Sequence, residues 1–175
     1  MTISLDEFVD DTPWIEAERP LAELRIPDQI EGVVIRRLLT NRDDRGDLTV
    51  LFSSRLVQDA PPPHIYWVTA APGSVRAWVF HKRQSDRLVF TNGNMRIVLY
   101  DIRPGSPTHG TLNIIEAGRE NKVQLTIPPF VVHGVQNAGV QAATFVNMPT
   151  NAYDPANPDK SRVPVNHPGI PYRFE

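Results

Sequence analysis

Gly73-Ser-Val-Arg-Ala-Trp-Val-Phe-His81-Lys-Arg-Gln-Ser-Asp86-Arg87-Leu-Val-Phe-Thr-Asn-Gly93 sets two short β-forming runs, Val75–Phe80 and Arg87–Thr91, around a polar cluster of one His, one Asp and several cations. Apolar β-branched and aromatic residues bounded by Gly, Asn and Ser are strand and turn signals. The same character continues outward in both directions. Val33–Leu39, Leu48–Phe52, His64–Ala70, Met95–Ile102, Thr111–Ala117, Lys122–Ile127, Val131–Asn137 and Ala142–Met148 are further short runs rich in Val, Ile, Leu, Phe and Thr. Asp44-Arg45-Gly46, Pro104-Gly105-Ser106 and Asn137-Ala138-Gly139 punctuate them as turns. Asn92-Gly93 reads as a hairpin turn, because both residues accept a positive φ. Ten short strands without a long amphipathic helix predict an all-β double-sheet jelly roll or related barrel.

The bulk properties narrow the chemistry. A chain of 175 residues is one domain of ordinary size, long enough to enclose a substantial core. The absence of cysteine excludes disulfides, thiolate nucleophiles and Cys-based zinc sites. A formal net charge of -2 offers no electrostatic basis for nucleic acid as a partner. No segment approaches the roughly 20 apolar residues of a membrane span, so the expectation is a cytoplasmic protein with no membrane partner. Seventeen prolines cluster between or after the strand-like runs, where a missing N–H does no harm. Residues 1–31 read as an irregular N-terminal arm with one helical turn around Trp14–Arg19, 32–148 as the barrel, and 149–175 as a Pro-rich, ordered C-terminal strap ending in Ile170, Tyr172 and Phe174.

The frame of the opening stretch resembles the first motif of a metal-binding cupin: glycine, five residues, His-x-His, three or four residues, Glu, six residues, glycine. Val79 stands where the first His is expected and Asp86 where the Glu is expected. Pro128-Pro129-Phe130-Val131-Val132-His133-Gly134-Val135-Gln136-Asn137 supplies the matching partner strand. More narrowly, Arg42-Asp-Asp-Arg45-Gly46, His81, Ser106-Pro-Thr-His-Gly110 and Phe130-Val-Val-His133-Gly134 match one family in order and spacing. The chain resembles the dTDP-4-dehydrorhamnose 3,5-epimerase family, a cupin jelly roll of the double-stranded β-helix type. Trp78-Val-Phe-His81-Lys-Arg-Gln84-Ser-Asp86-Arg87-Leu88, Asn147-Met-Pro-Thr150 and Ile170-Pro-Tyr172 are similar to a divergent side branch of it.

That resemblance implies a metal-free enzyme acting on a nucleotide-linked 4-keto sugar, with no cofactor. A histidine removes the proton beside the ketone, a lysine stabilises the enolate, and a tyrosine on the opposite face returns a proton. Such a division of labour meets the needs of α-proton abstraction. Position by position, His81 matches the base and Arg87 the lysine, with His133 as the third catalytic candidate. The family tyrosine falls on Asn147 and the base-orienting Asp on His167, so Tyr153, His133 or water is left as the acid. Arg45 matches an arginine that clamps the diphosphate, often across a dimer, and Arg is suited to it by its planar fork. Arg76, Trp78, Asn147 and Tyr153 complete the expected substrate contacts, and a homodimer is the expected assembly.

The implied function is an epimerase or isomerase of a nucleotide-linked keto-deoxysugar in polysaccharide or secondary-metabolite biosynthesis. Two alternatives stand beside it: a metal-free cyclase, isomerase or dehydratase working on a non-nucleotide metabolite, and a catalytically degenerate sugar-binding cupin. A further alternative for the site is a metal triad of His81, Asp86 and His133.

Overall fold

In a computed structural model, residues 3–11, 21–57 and 59–175 are described. The helical turn expected around Trp14–Arg19 lies outside them. Thirteen strands follow in chain order: β1 (Glu23–Leu24), β2 (Val34–Arg37), β3 (Thr40–Asp43), β4 (Gly46–Thr49), β5 (Tyr66–Ala70), β6 (Val75–His81), β7 (Asp86–Phe90), β8 (Asn94–Asp101), β9 (Leu112–Gly118), β10 (Val123–Ile127), β11 (Val131–Asn137), β12 (Ala143–Asn147) and β13 (Lys160–Arg162). Among the described residues the one helical segment is a 3-10 turn at Leu5–Glu7, capped by Ser4. The expected all-β jelly roll is present, and each predicted run contains a strand. Leu48–Phe52 is strand only at its start, since β4 stops at Thr49.

Two antiparallel sheets face each other. One has the order β1-β2-β10-β7-β12-β5, the other β13-β6-β11-β8-β9, and β3 and β4 form a separate hairpin. Between the sheets lies the main core, which includes Ile35, Phe90, Met95, Ile97, Leu99 and Leu125. Along β8, Met95, Ile97 and Leu99 point into this core, while Val98 and Tyr100 point out the other side. This is the period-two alternation of a strand.

The Asn92-Gly93 turn is not a hairpin. β7 pairs with β10 and β12, whereas β8 pairs with β11 and β9, so the turn carries the chain from one sheet to the other. Asn92 Oδ1 accepts from the backbone N–H and the hydroxyl of Thr144. Gly93, at φ 69°, leaves no room for a Cβ, which would lie 2.3 Å from Cβ of Ala143. Of the two turn residues only Gly93 takes a positive φ, and the strands it joins belong to opposite sheets, as adjacent jelly-roll strands often do.

The strap is ordered and does two things. Ile170, Tyr172 and Phe174 pack on the outer face of the second sheet with Trp78, Val98 and Val132. Gly134 admits them, since a Cβ there would meet Phe174 at 2.9 Å. The strap also adds β13 to the sheet edge, pairing Lys160 with His81, Ser161 with Phe80 and Arg162 with Val79. Trp78 is wholly buried beneath it, with its indole N–H donating to the Val165 carbonyl. Truncating such a side chain costs roughly 3–5 kcal/mol. Trp78 therefore binds the strap and does not face the barrel interior, which removes it from the expected substrate contacts.

Candidate active site

Three chemistry-bearing side chains converge inside the barrel. His81 ends β6, His133 lies on the neighbouring β11, and Asp86 opens β7 in the facing sheet. The connection of Lys82–Ser85 turns the chain between the sheets and brings the carboxylate to the two imidazoles. Asp86 Oδ2 is 3.3 Å from Nε2 of His81 and 3.3 Å from Nε2 of His133. All three residues are buried, at 6, 4 and 5% exposure in chain order, so their charges are poorly screened by water.

The supporting contacts fix how each group is presented. His133 Nδ1 lies 3.2 Å from the Val131 carbonyl. A carbonyl only accepts, so Nδ1 carries the proton and Nε2 faces Asp86. Asp86 Oδ1 accepts from the Gln84 amide at 3.0 Å, leaving Oδ2 for the imidazoles. Burial alone would raise the Asp86 pKa, but the imidazoles of His133 and His81 outweigh it and hold the carboxyl far below its ordinary value. Neither ring nitrogen of His81 has a hydrogen-bond partner.

Behind His81 stands a residue that the sequence reading missed. Asp159 Oδ2 is 3.7 Å from His81 Nδ1. It is held there by the backbone N–H groups of Arg83 and Gln84 at 3.1 and 3.0 Å, and by the Arg83 guanidinium at 3.2 Å. Burial pushes the Asp159 pKa up, and these donors together with His81 bring it below the ordinary value. His167, the position expected for the orienting carboxylate, sits instead in the outer wall with Trp78 and Ile170. The Asp behind His81 thus comes from the residue just before β13. Its sole sequence signal was its place beside a short polar run in the strap.

Arg87 does not belong to the interior. Neighbouring residues on a strand face opposite ways, so with Asp86 inside, Arg87 is outside. Its guanidinium donates to the carbonyls of Met148 and Ala60, both at 2.8 Å, and lies 5.6 Å from the Phe52 ring centre. It ties down the loop over the outer face and cannot reach an enolate beside His81. The cation directly opposite His81 is Lys160. Directly opposed residues of an antiparallel pair share a face, and Lys160 opposes His81. Although the residue is exposed overall, loss of water around its ammonium lowers its pKa, an effect that the Asp86 charge opposes.

Two adjoining cavities surround this cluster. One of about 740 Å³ is walled by His81, Gln84, Asp159 and Tyr153 among others. The second, of about 390 Å³, is walled by Asp86, His133, Asn147 and Arg76 among others. Tyr66, Lys160 and Arg162 line both. Arg76 reaches this face through a bulge: the step from His133 to Val135 on β11 is matched by three residues on β6, from Val79 to Arg76. Asn147 is buried, donates to the Tyr66 hydroxyl at 2.8 Å, and leaves its own Oδ1 without a partner. Burial and then the Asp86 charge raise the Tyr66 pKa, so its phenol stays protonated. Arg45 is at the tip of the β3–β4 hairpin, 85% exposed and paired with Asp43, away from both cavities.

The family model described as dTDP-4-dehydrorhamnose 3,5-epimerase matches residues 27–173. A spore coat polysaccharide biosynthesis protein of Bacillus subtilis (strain 168) is 33% identical over 150 residues, covering 83% of this chain and 96% of that protein. A probable low-salt glycan biosynthesis epimerase of Haloferax volcanii is 36% identical over 139 residues, covering 78% and 89%. Among solved structures, the dTDP sugar isomerase of Desulfovibrio desulfuricans G20 superposes with a TM-score of 0.78 at 27% identity, covering 83% of this chain and 92% of that one. With the jelly roll and the inward His81 and His133 in place, this chain belongs to the dTDP-4-dehydrorhamnose 3,5-epimerase family.

Proposed function

We propose that this protein epimerises a nucleotide-linked 4-keto-6-deoxy sugar for polysaccharide biosynthesis, by removing and returning the proton beside the ketone. The observation that carries the reading is His81: buried, with both ring nitrogens unpartnered, between Asp159 on one side and Asp86 on the other. With its Nδ1–H held toward Asp159, Nε2 carries the lone pair of a base on the side where Asp86 borders the inner cavity. Asp86 stabilises the imidazolium that forms on proton transfer. Lys160 and Arg162 supply positive charge to the developing enolate oxygen, the role in which preorganised charge counts most. Tyr66 returns the proton from the facing sheet. Its oxygen accepts from Asn147, so its own O–H proton is free to be donated. Tyr66 thereby replaces the acid missing at position 147.

Deuterium exchange from solvent into a dTDP-4-keto-6-deoxy sugar, followed by proton NMR, tests this. Exchange is expected with the parent and should vanish in His81→Ala. If no such sugar nucleotide exchanges, the reading is wrong. Thermal stabilisation by thymidine diphosphate separates it from the reading in which a non-nucleotide metabolite is used. A sugar-binding protein without catalysis would bind the same nucleotide sugar and return it unlabelled.

We further propose a homodimer in which the β3–β4 hairpin carries Arg45 to the partner's diphosphate subsite. Its exposure and its distance from the cavities of its own chain support this. Sedimentation of the parent, with loss of nucleotide affinity in Arg45→Ala, is the check; a monomer that binds nucleotide fully overturns it. Among the described residues, no helix is long and apolar enough to cross a membrane.

A further inference from the structure

The geometry points to a divalent transition-metal site formed by His81 Nε2, His133 Nε2 and Asp86 Oδ2. These three residues were the sequence's alternative to a metal-free base, and the argument for an ion rests on their contacts alone. His133 Nδ1 spends its proton on the Val131 carbonyl, so a neutral His133 turns a bare Nε2 lone pair toward Asp86. His81 is placed in the same way, with Nδ1 toward the Asp159 carboxylate and Nε2 toward Asp86. One carboxylate oxygen therefore faces two ring nitrogens at 3.3 Å each, and both present lone pairs when Val131 and Asp159 hold the Nδ1 protons of neutral rings. Acceptors held against one another in a buried site need positive charge between them. A proton on the ring nitrogens or on the carboxyl can supply it, and so can a cation.

The spacing suits a cation. Two donors about 2.1 Å from one ion at a tetrahedral angle are about 3.4 Å apart. The observed N···O separations are 3.3 Å; the three donor atoms lie within 4.8 Å of one another, and any pair beyond about 4.2 Å has to draw together to share an ion. The outer contacts are also those that ligands require. Val131 orients His133, Asp159 backs His81, and Gln84 holds the second oxygen of Asp86. Two imidazoles and one carboxylate favour a first-row divalent ion such as Co²⁺, Zn²⁺, Mn²⁺ or Fe²⁺ over Mg²⁺ or Ca²⁺. Val79, opposite His133 in register, adds no ligand, so coordination positions remain open toward the cavity. The unpartnered Oδ1 of Asn147 lies in the same wall.

Such an ion takes the Nε2 lone pair that a base needs. Ion binding and His81 base function are therefore mutually exclusive. An ion at this site would switch proton abstraction off.

The test is a Co²⁺ titration of the full-length, chelator-stripped protein, read by visible absorption and by calorimetry. One ion per chain is expected, with a d–d spectrum of mixed N and O coordination. Saturable binding should disappear in His133→Ala and in Asp86→Asn, and persist in His167→Ala, which changes a histidine outside the cluster. Gln84→Ala should keep the site but weaken it by about tenfold, as loss of an outer contact does. Affinity should fall with falling pH, because protons compete for both imidazoles. A thermal melt of each variant verifies folding, and only the parent and His167→Ala should be stabilised by added Co²⁺. Absence of saturable binding in the parent overturns the proposal, as does binding that survives both His133→Ala and Asp86→Asn. Co²⁺-loaded protein that still exchanges deuterium at the parent rate would overturn the exclusivity. Since the primary signal is metal binding, failure of the epimerase reading would leave the result for the site intact.

Discussion

Tyr66→Phe separates the two halves of the proposed reaction. The substitution removes one oxygen and leaves the ring in place. Asn147 Nδ2 loses its acceptor at 2.8 Å, and its Oδ1 is already unpartnered. Leaving one buried donor unsatisfied costs about 1–3 kcal/mol, which a domain of ordinary stability of roughly 5–15 kcal/mol survives. The catalytic cost is larger and confined to one step. A positioned general acid contributes about 10²–10⁴ in rate, or roughly 3–5 kcal/mol of barrier. His81 still abstracts the α-proton and exchanges it with solvent on its own face. In deuterated buffer, proton NMR of a dTDP-4-keto-6-deoxy sugar should therefore show label entering the α-carbon at close to the parent rate. The inverted product should form at least about a hundredfold more slowly, with little change in KM. Inversion at the parent rate in Tyr66→Phe would refute the assignment of the acid. So would loss of exchange and inversion together, because it would place Tyr66 on the abstraction step.

Three other outcomes follow from the same contacts. Arg87→Met should lower stability by about 2–4 kcal/mol, since two charge-assisted hydrogen bonds and the Phe52 contact go while the apolar stem is kept. Its kcat per folded molecule should be unchanged by active-fraction assay; a selective loss of kcat would return Arg87 to the site. Asp159→Asn keeps an oxygen for the Arg83 and Gln84 N–H groups but removes the charge behind His81. It should lower kcat by about tenfold or more and shift the pH profile, with KM nearly constant; an unshifted profile would make Asp159 merely a clamp for the strap. Asp101 concerns stability: burial alone would raise its pKa, and bonds from Arg103, Thr108 and Ser106 outweigh this and lower it. A lowered folded-state value gives stabilisation that is complete above the unfolded value of ~3.9 and lost as pH falls below it. Asp101→Asn should therefore be less stable than the parent in urea at neutral pH, and the gap should narrow near pH ~2–3; a gap independent of pH contradicts the ionised role.

The relation between this chain's sequence and its site is clearest at neighbouring residues. Asp86 and Arg87 differ by one position and by everything that matters, since one faces the imidazoles and the other the outer loop. Every residue of β7 is buried, so the strand has no polar face to reveal which way it points. Along β6 the bulge changes which residues face inward, bringing Arg76 into the cavity wall while Trp78 turns to the strap. A bulge of this kind leaves no mark in the spacing of residues.

Composition and pattern by themselves determined the strand-rich class, the jelly roll and the ordered strap, while the resemblance of the motifs to a known family brought the family, with His81 and His133 as residues of interest. These are local properties, written in β-branched runs, turn residues and motif spacing. Tertiary structure alone decided that Asp159 and Lys160 stand beside His81, that Tyr66 meets Asn147, and that Asn92-Gly93 joins two sheets. Each of these depends on pairing between segments distant in the chain: β13 on β6, β5 on β12, and β7 and β8 in opposite layers. The free energy that selects such pairings comes from burying both sheets and the strap together, and no short stretch of sequence carries it alone.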